Sequence, residues 1–451
     1  MLLNTGPATG NPRHPCNYRK PYMDTLYLGI DFGTSGCRAS VINDQRDVVA
    51  EHVIPTPVTK TGKPGVYEQN PHSWWNALQA LLHKGIPENN LKSIRSICID
   101  GTSSTLLLAD GTGSPLSPAL MYNDSRSHEQ SEMIDQHAPR DCAAQGASSS
   151  LAKLLYLISH YPAARHAVHQ SDWLTAMLTG KVGHSDENNC LKLGYDPVNQ
   201  CWPEWIKSLG FNMDILPVVH EPGKKLASID KTVARQFGLS SDTCIIAGTT
   251  DSTAAFLACG AENPGDAMTC LGSTLVTKII SSSPVFCSQH GVYSHRILGR
   301  WLAGGASNSG GSALLKYFSV AEMEQLSELL RPEQTTGLDF YPLPDAGERF
   351  PIADAEFQPR LPDKLPDTPA QRAVIFQGML EGIAHIEKQG YDLLHKLGCP
   401  YPNKVLTTGG GSKNKAWERI RQNTLGVPTI QADHHQASYG AALLARHGFN
   451  H

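Results

Sequence analysis

Apolar positions recur along this chain with two periods. At 26–42, "LYLGIDFGTSGCRASVI", an apolar run ends on Asp31, a turn of Gly, Thr and Ser follows, and a second run alternates as a strand does. The stretch 265–280, "GDAMTCLGSTLVTKII", repeats the plan, and 97–108, "ICIDGTSSTLLL", echoes it faintly. The pattern predicts two diverged halves, each opening with a β-hairpin tipped by Gly, Ser and Thr. Between the hairpins the period becomes helical. Segment 71–86 places Trp74, Leu78 and Leu81/Leu82 on one face, and 150–161 reads the same way. Segment 171–180 has Ser171 as its expected N-cap and Gly180 as its stop. A long amphipathic helix is expected over 373–398, with Phe376, Leu380, Ile383 and Ala384 inward; strand 404–411 then feeds a helix at 414–426. Strands alternating with helices imply α/β layers. The proline-rich stretch 341–370 reads as a surface excursion.

Composition narrows the classes. A chain of 451 residues allows two or three domains at about 150 residues each. Net charge is −4 and no Lys/Arg block exceeds two residues, which argues against a nucleic-acid partner. No apolar stretch approaches the roughly 18 residues of a membrane span, so no membrane association is expected. Residues 1–22 are rich in Pro, Gly and Asn without the apolar core of a secretory signal. They read as a disordered lead-in, or as sequence upstream of a start at Met23. Eleven cysteines without a C-x-x-C pair fit the reduced thiols of a cytoplasmic protein.

Three stretches carry chemistry. The backbone N–H groups of a tight glycine turn form an anion-binding concavity, and Thr34 and Ser35 add hydroxyl donors. Two such turns suit one polyphosphate held from both sides. Asp31 would repel that anion unless a cation lay between, which predicts Mg²⁺. The plainer alternative is a hairpin with a solvated aspartate. In "TTGGGSKNKAW" (407–417) the glycines let a phosphate or flat ring approach the backbone, with Asn414 and Trp417 toward an adenine; alternatively this is a tight turn with a core Trp. In "IIAGTTDSTAAFLACG" (245–260), Asp251 lies between a strand and a helix, either as a proton acceptor for an attacking hydroxyl or as an ordinary N-cap. Walker A, G-x-G-x-x-G, G-x-S-x-G and H-E-x-x-H patterns are absent, and His434–His435 reads as a surface pair.

Taken together, these stretches resemble the FGGY family of carbohydrate kinases, on the two-domain actin-like (ribonuclease H-like) α/β fold with its active-site cleft between the domains. The resemblance runs over nearly everything from Met23. It includes "GVYEQNPHSWW" (65–75), "MYNDSRS" (121–127) and the helix 373–398. "IDGTSSTLLL" and "LGSTLVTKI" look most like the D-ribulose (xylulose kinase-like) group of cyanobacteria and plants, whereas "YNDSRS" also looks like a xylulose kinase.

The resemblance implies an N-terminal domain over 23–258, with 435–451 returning to it, and a nucleotide-side domain over 259–434. It implies ATP and Mg²⁺ as cofactors and a ketopentose as substrate, in a monomer or homodimer. Asp251 is then the catalytic base, and Asp31 holds Mg²⁺, with Asp251, through water. Thr34, Ser35 and the turn Gly272, Ser273, Thr274 cradle phosphates. Gly410, Gly411, Asn414 and Trp417 receive adenosine, and Ser103, Asn123, Asp124 and the neighbouring Arg126 hold the sugar. The rival from another class is an actin- or chaperone-type ATPase switch without sugar turnover; the "GTTD" aspartate and the 121–127 loop speak against it.

Overall fold

The structure is a computed structural model that describes residues 25–56, 63–362 and 364–451; the lead-in 1–22 lies outside the described residues. Two six-stranded mixed sheets carry the fold. In the first, β1 (Leu26–Phe32), β2 (Gly36–Ile42) and β3 (Val48–Pro55) form an antiparallel meander. β4 (Ile94–Gly101) lies parallel to β1, β5 (Lys225–Ser228) forms the edge, and β6 (Cys244–Ile246) lies between β4 and β5. The second sheet contains β7 (Asp266–Leu271), β8 (Leu275–Ser281), β9 (Tyr293–Ile297), β10 (Arg300–Ser307), β11 (Lys404–Thr408) and β12 (Thr429–Gln431), in the order β9-β10-β8-β7-β11-β12. Its β10-β8-β7-β11-β12 run repeats β3-β2-β1-β4-β6 of the first sheet, as the two hairpins foretold.

The faint echo at 97–108 is not a third hairpin. Its first half is β4, whereas Leu106–Ala109 belongs to a separate four-stranded sheet, so residues 102–105 form a turn between two sheets. The period-2 alternation of β1 sorts its neighbours. Leu28 and Ile30 face the core shared with α1 (Pro71–Ala80), α2 (Ser150–His160) lies over the small sheet, and α3 (Gln170–Thr179) joins the α1 side. Ser171 is buried inside α3 rather than capping it; the capping position is His169, and Gly180 ends the helix with φ 69°. The segment 71–86 is helical only to Ala80, after which Leu81–Gly85 widens into a π turn.

The opposite face of β1 carries Tyr27, Gly29 and Asp31. It is covered by α4 (Asp251–Ala258) and by the last helix; between them in sequence come α5 (Pro369–Lys396), α6 (Lys415–Leu425) and then α7 (Ala437–Asn450). α7 lies on bare backbone. A Cβ on Gly29 would stand 2.0 Å from the Ser438 carbonyl oxygen, and one on Gly440 would stand 1.9 Å from that of Ala254. The Ser96 hydroxyl donates to the Ala445 carbonyl at 2.7 Å.

In the second half, a buried ion pair fixes α5 to α6. Arg421 donates to both Glu387 oxygens (2.6 and 2.7 Å) and to Thr407 Oγ1 on β11 (2.8 Å), while Thr269 on β7 donates to Glu387 from the other side. α5 buries Phe376, Leu380, Ile383 and Ala384, as its periodicity predicts. The stretch 341–370 is a surface excursion only in its second part, where none of the described residues 352–370 is buried; 341–351 turns inward. Phe350 packs on Gly305 and Gly390, and buried Glu348 accepts from the Ser307 and Tyr341 hydroxyls. Its prolines mark an irregular strap whose apolar side chains fill the core.

Gly29→Ala tests the α7 contact. The added methyl has no space against backbone, and overpacking costs about 1–3 kcal/mol or more. We expect a loss of about 3 kcal/mol at least by chemical unfolding; a stability within error of wild type would show that α7 shifts freely.

Candidate active site

Three neighbouring parallel strands deliver three carboxylates to one edge. Asp31 lies one residue from the end of β1 and stands in register with Asp100 on β4. Gly101 bridges Thr250, which follows β6 and places Asp251 in the first turn of α4. Ligands of open α/β sheets bind outside the carboxyl ends of such strands. Asp100 is fully buried and neither of its oxygens has a donor. Burial, reinforced by the Asp31 charge, pushes its carboxyl well above the usual range, and burial raises Asp31 too. Burial disfavours the charged form most at Asp100, the more deeply buried of the two.

Asp251 is partly accessible and its carboxyl is pushed up to about 6, by burial first and by Asp31 second. The Ser252 N–H donates to its Oδ1 at 2.6 Å. Asp251 is therefore no N-cap; that position is Thr250. From β8 of the second sheet, Lys278 Nζ donates to the Ser252 carbonyl (2.9 Å) and hydroxyl (3.2 Å) and counteracts the rise at Asp251. Among the described residues no three His, Cys, Asp or Glu side chains form a metal-binding group.

Both hairpin tips leave their side-chain hydroxyls outward. In the first, Gly33 N–H donates to Gly36 O at 3.0 Å, Gln69 holds the Thr34 carbonyl at 3.1 Å, Thr34 is half-buried and Ser35 exposed. In the second, the carbonyls of Gly272 and Ser273 are taken by the N–H groups of Gly311 and Ser312 (2.9 and 3.1 Å), with Ser273 exposed and Thr274 half-buried.

The glycine-rich turn corrects one assignment and reassigns another. Trp417 does not face a nucleotide. It is 4% exposed, packs with Leu271 and Leu380, and donates its indole N–H to the Leu380 carbonyl at 3.2 Å. Gly411 is small because of it: a Cβ there would stand 2.4 Å from the Trp417 ring. Asn414 is the N-cap of α6; its Oδ1 accepts from Trp417 N–H (3.0 Å) and its amide donates to Ser327 (2.8 Å). Gly410 is exposed and Gly411 half-buried, which leaves this backbone open to a ligand.

On the other side of the cleft, Ser103 and Asn123 are accessible, but Asp124 is not. Its carboxylate is fully buried and accepts from the Tyr67 N–H (2.8 Å) and from the Arg126 guanidinium (2.6 Å to its nearer nitrogen). Arg126 is held in turn by Glu68 at 2.7 Å. Asp124 braces the loop and has no free face for a sugar. Asp100 and Lys278 were not among the expected residues. For Asp100 a signal existed: "IDFGT" and "IDGT" repeat the same aspartate before a glycine. For Lys278 none did.

Comparison with known proteins decides the class. Residues 26–258 match the N-terminal domain, and residues 267–449 the C-terminal domain, of the FGGY family of carbohydrate kinases. The chain belongs to the FGGY family of carbohydrate kinases. It is therefore a sugar phosphotransferase on the two-domain α/β fold of that family, and not an ATPase switch. The xylulose kinase of Staphylococcus epidermidis is 26% identical over 447 residues, covering 94% of this chain and 88% of the relative. A crystal structure of "a xyloylose kinase" from Brucella ovis superposes with a TM-score of 0.84 at 24% identity, covering 94% of this chain and 90% of that one. The glycerol kinase of Plasmodium falciparum, solved with ADP, superposes at 0.81 with 20% identity, over 94% of this chain and 89% of that one.

The site makes three testable predictions. If Asp251 is the base, Asp251→Asn, which keeps the shape but replaces the basic carboxylate with a non-basic amide, should lower kcat by about 10²–10⁴-fold; retention of half the activity would remove Asp251 from that role. In the wild type, kcat/KM for sugar should decline with unit slope as the pH drops through about 6, where Asp251 gains its proton. Trp417→Ala should lower stability by about 3–5 kcal/mol and leave the ATP KM of the surviving folded enzyme close to wild type. A raised ATP KM without a lowered melting temperature would return Trp417 to the nucleotide site.

Proposed function

We propose that this protein is an ATP-dependent pentulose kinase that phosphorylates the terminal hydroxyl of D-ribulose to give D-ribulose 5-phosphate. The observation that carries the reading is Asp251: a partly accessible carboxylate in a helix first turn, with its pKa pushed up to about 6 beside two further carboxylates at the strand ends. A base poised there is ionised at neutral pH yet basic enough to accept a hydroxyl proton. D-Ribulose comes first because of the Thr102-Ser103-Ser104-Thr105 turn and the second hairpin, which resemble the ribulose-kinase group. D-Xylulose, its epimer at C3, is the second reading, favoured by the names of the curated relatives.

Phosphoryl transfer is mostly positioning and charge stabilisation. In this reading Thr34, Ser35 and the Gly272-Ser273-Thr274 tip donate to the ATP phosphates, and the open backbone at Gly410 and Gly411 takes the adenosine. Ser103 and Asn123 meet the sugar hydroxyls, and Asp251 takes the proton of the attacking terminal hydroxyl. The donor set fits Mg²⁺: it is all carboxylate oxygen, and the buried Asp100, neither of whose oxygens has a donor, stands in register beside Asp31. Asp31 would hold the ion, with Asp251 through water; when bound, the ion neutralises charge on the phosphates.

The test is sugar-dependent ADP release over a panel of D-ribulose, D-xylulose, their L-isomers, glycerol and erythritol. We expect kcat/KM for D-ribulose to exceed the others by about tenfold or more. Preference for D-xylulose adopts the second reading, and ADP release indifferent to every sugar refutes both. Asp31→Ala should raise the Mg²⁺ concentration needed for half-maximal rate. An unchanged Mg²⁺ titration would free Asp31 of that role.

A further inference from the structure

Lys153 lies inside the protein in the apolar face of α2, with none of its surface accessible. Its Nζ donates to two backbone carbonyls: Ser104 O at 2.8 Å and Met121 O at 2.7 Å. Among the described residues it has no carboxylate partner within ion-pair distance. Burying an ammonium is costly, and burial pushes this amine down to about 7, with the charge of Asp124 opposing the fall. A helix that needed only packing here would carry leucine, as at Leu151, Leu154 and Leu155.

What the two carbonyls have in common is position. Ser104 belongs to the 102–105 turn and Met121 opens the 121–126 loop, the two segments that present Ser103 and Asn123. The turn is strained: Ser104 has φ 64° and its buried hydroxyl has no partner. A non-glycine residue keeps such a conformation only where its surroundings over-determine it. Here Thr102 Oγ1 meets Thr105 Oγ1 at 2.6 Å, Gln170 Oε1 accepts from the Thr102 N–H and hydroxyl, and Lys153 pulls on Ser104 O. At the other end, Met121 O also accepts from the Asp124 N–H at 2.9 Å, so the same atom anchors the Asp124–Arg126 brace.

We propose that Lys153 is a positioning residue of the sugar pocket, bridging the 102–105 turn to the 121–126 loop and so fixing the separation of Ser103 and Asn123. It sets affinity for the sugar without touching it. Replacement by an apolar side chain leaves two buried carbonyls short of a donor, and the turn and the loop then relax independently. Among the described residues, the hydrogen bonds of this bridge run to residues of the first half, whereas the nucleotide side is built on the second sheet. The inference rests on the reading that these two segments hold the sugar.

The experiment compares wild type, Lys153→Met and Lys153→Arg as full chains, measuring KM for sugar and for ATP, ADP affinity by calorimetry, and melting temperature. We expect Lys153→Met to raise the sugar KM by about tenfold or more while the ATP KM and ADP affinity stay within about twofold. Lys153→Arg, which can still donate to both carbonyls, should recover part of the loss. Equal weakening toward both substrates, or a folded Lys153→Met with wild-type sugar KM, overturns the assignment. If Lys153→Met does not fold, Lys153→Gln carries the same measurements with the same two overturning results. A wild type without sugar-dependent turnover would instead fail the kinase reading, whatever the variants do.

Discussion

The cleft depends on how closely α7 can lie against bare backbone. Gly29 in β1 and Gly440 in α7 remove the two methyl groups that would hold the last helix away from β1 and from α4. With them gone, a helix from the end of the chain seats against strands from its beginning; the Ser40–Ser438 hydroxyl contact spans 398 residues. Asp31 lies at the end of β1, one residue before Phe32, and α4 begins with Asp251, so the helix that holds both elements also sets the distance between the two carboxylates. Small residues do this better than large ones because backbone cannot yield to a side chain, whereas side chains can yield to each other. The closeness is therefore specified by absence of volume.

The second half reaches the same architecture by charge. Arg421 and Glu387 are both buried, and their forked hydrogen bonds extend to Thr407 on β11 and Thr269 on β7. A buried pair gains little over an apolar pair of equal shape, but losing one partner leaves a buried charge and costs about 3–5 kcal/mol. What the pair supplies is alignment. β7 leads into the Gly272-Ser273-Thr274 tip and β11 into the Gly409–Gly411 turn, and one guanidinium ties both strands to α5 and α6.

Much of this was legible in the sequence, and the misses share a cause. Hairpins and helices declare themselves by period, so the repeated halves and α5 could be read directly. Which side of a turn a ring occupies has no period. Trp417 follows three glycines in either reading, and only Gly411 pressed on its ring shows that it lies beneath the turn. Asp124 and Arg126, two residues apart, look like free charges in a loop until they are seen to satisfy each other. Distance alone also misleads in three dimensions. Ser150, His169 and Asp172 stand in hydrogen-bonded sequence at 3.2 and 3.1 Å, yet the serine and histidine are wholly buried, so the arrangement braces α2 against α3 and meets no substrate. Asp100 was hidden because its segment imitates a hairpin while its strands belong to different sheets.

The electrostatics of Asp251 join the two halves. Burial raises its carboxyl, and the Asp31 charge raises it further; both causes lie in the first half or in its enclosure. Two influences oppose them: first the Ser252 N–H hydrogen bond, within the first half, and then Lys278, from β8 of the second sheet. Burial alone would carry the group toward the neutral acid, useless as a base. Lys278 alone, in water, would leave an ordinary carboxylate too weak to take a hydroxyl proton. With both acting, Asp251 stays at about 6, ionised at neutral pH and still basic. The charge of the proposed base is thus set by both halves, and the burial of Asp100, which favours its neutral form, spares Asp251 a third like charge at that depth.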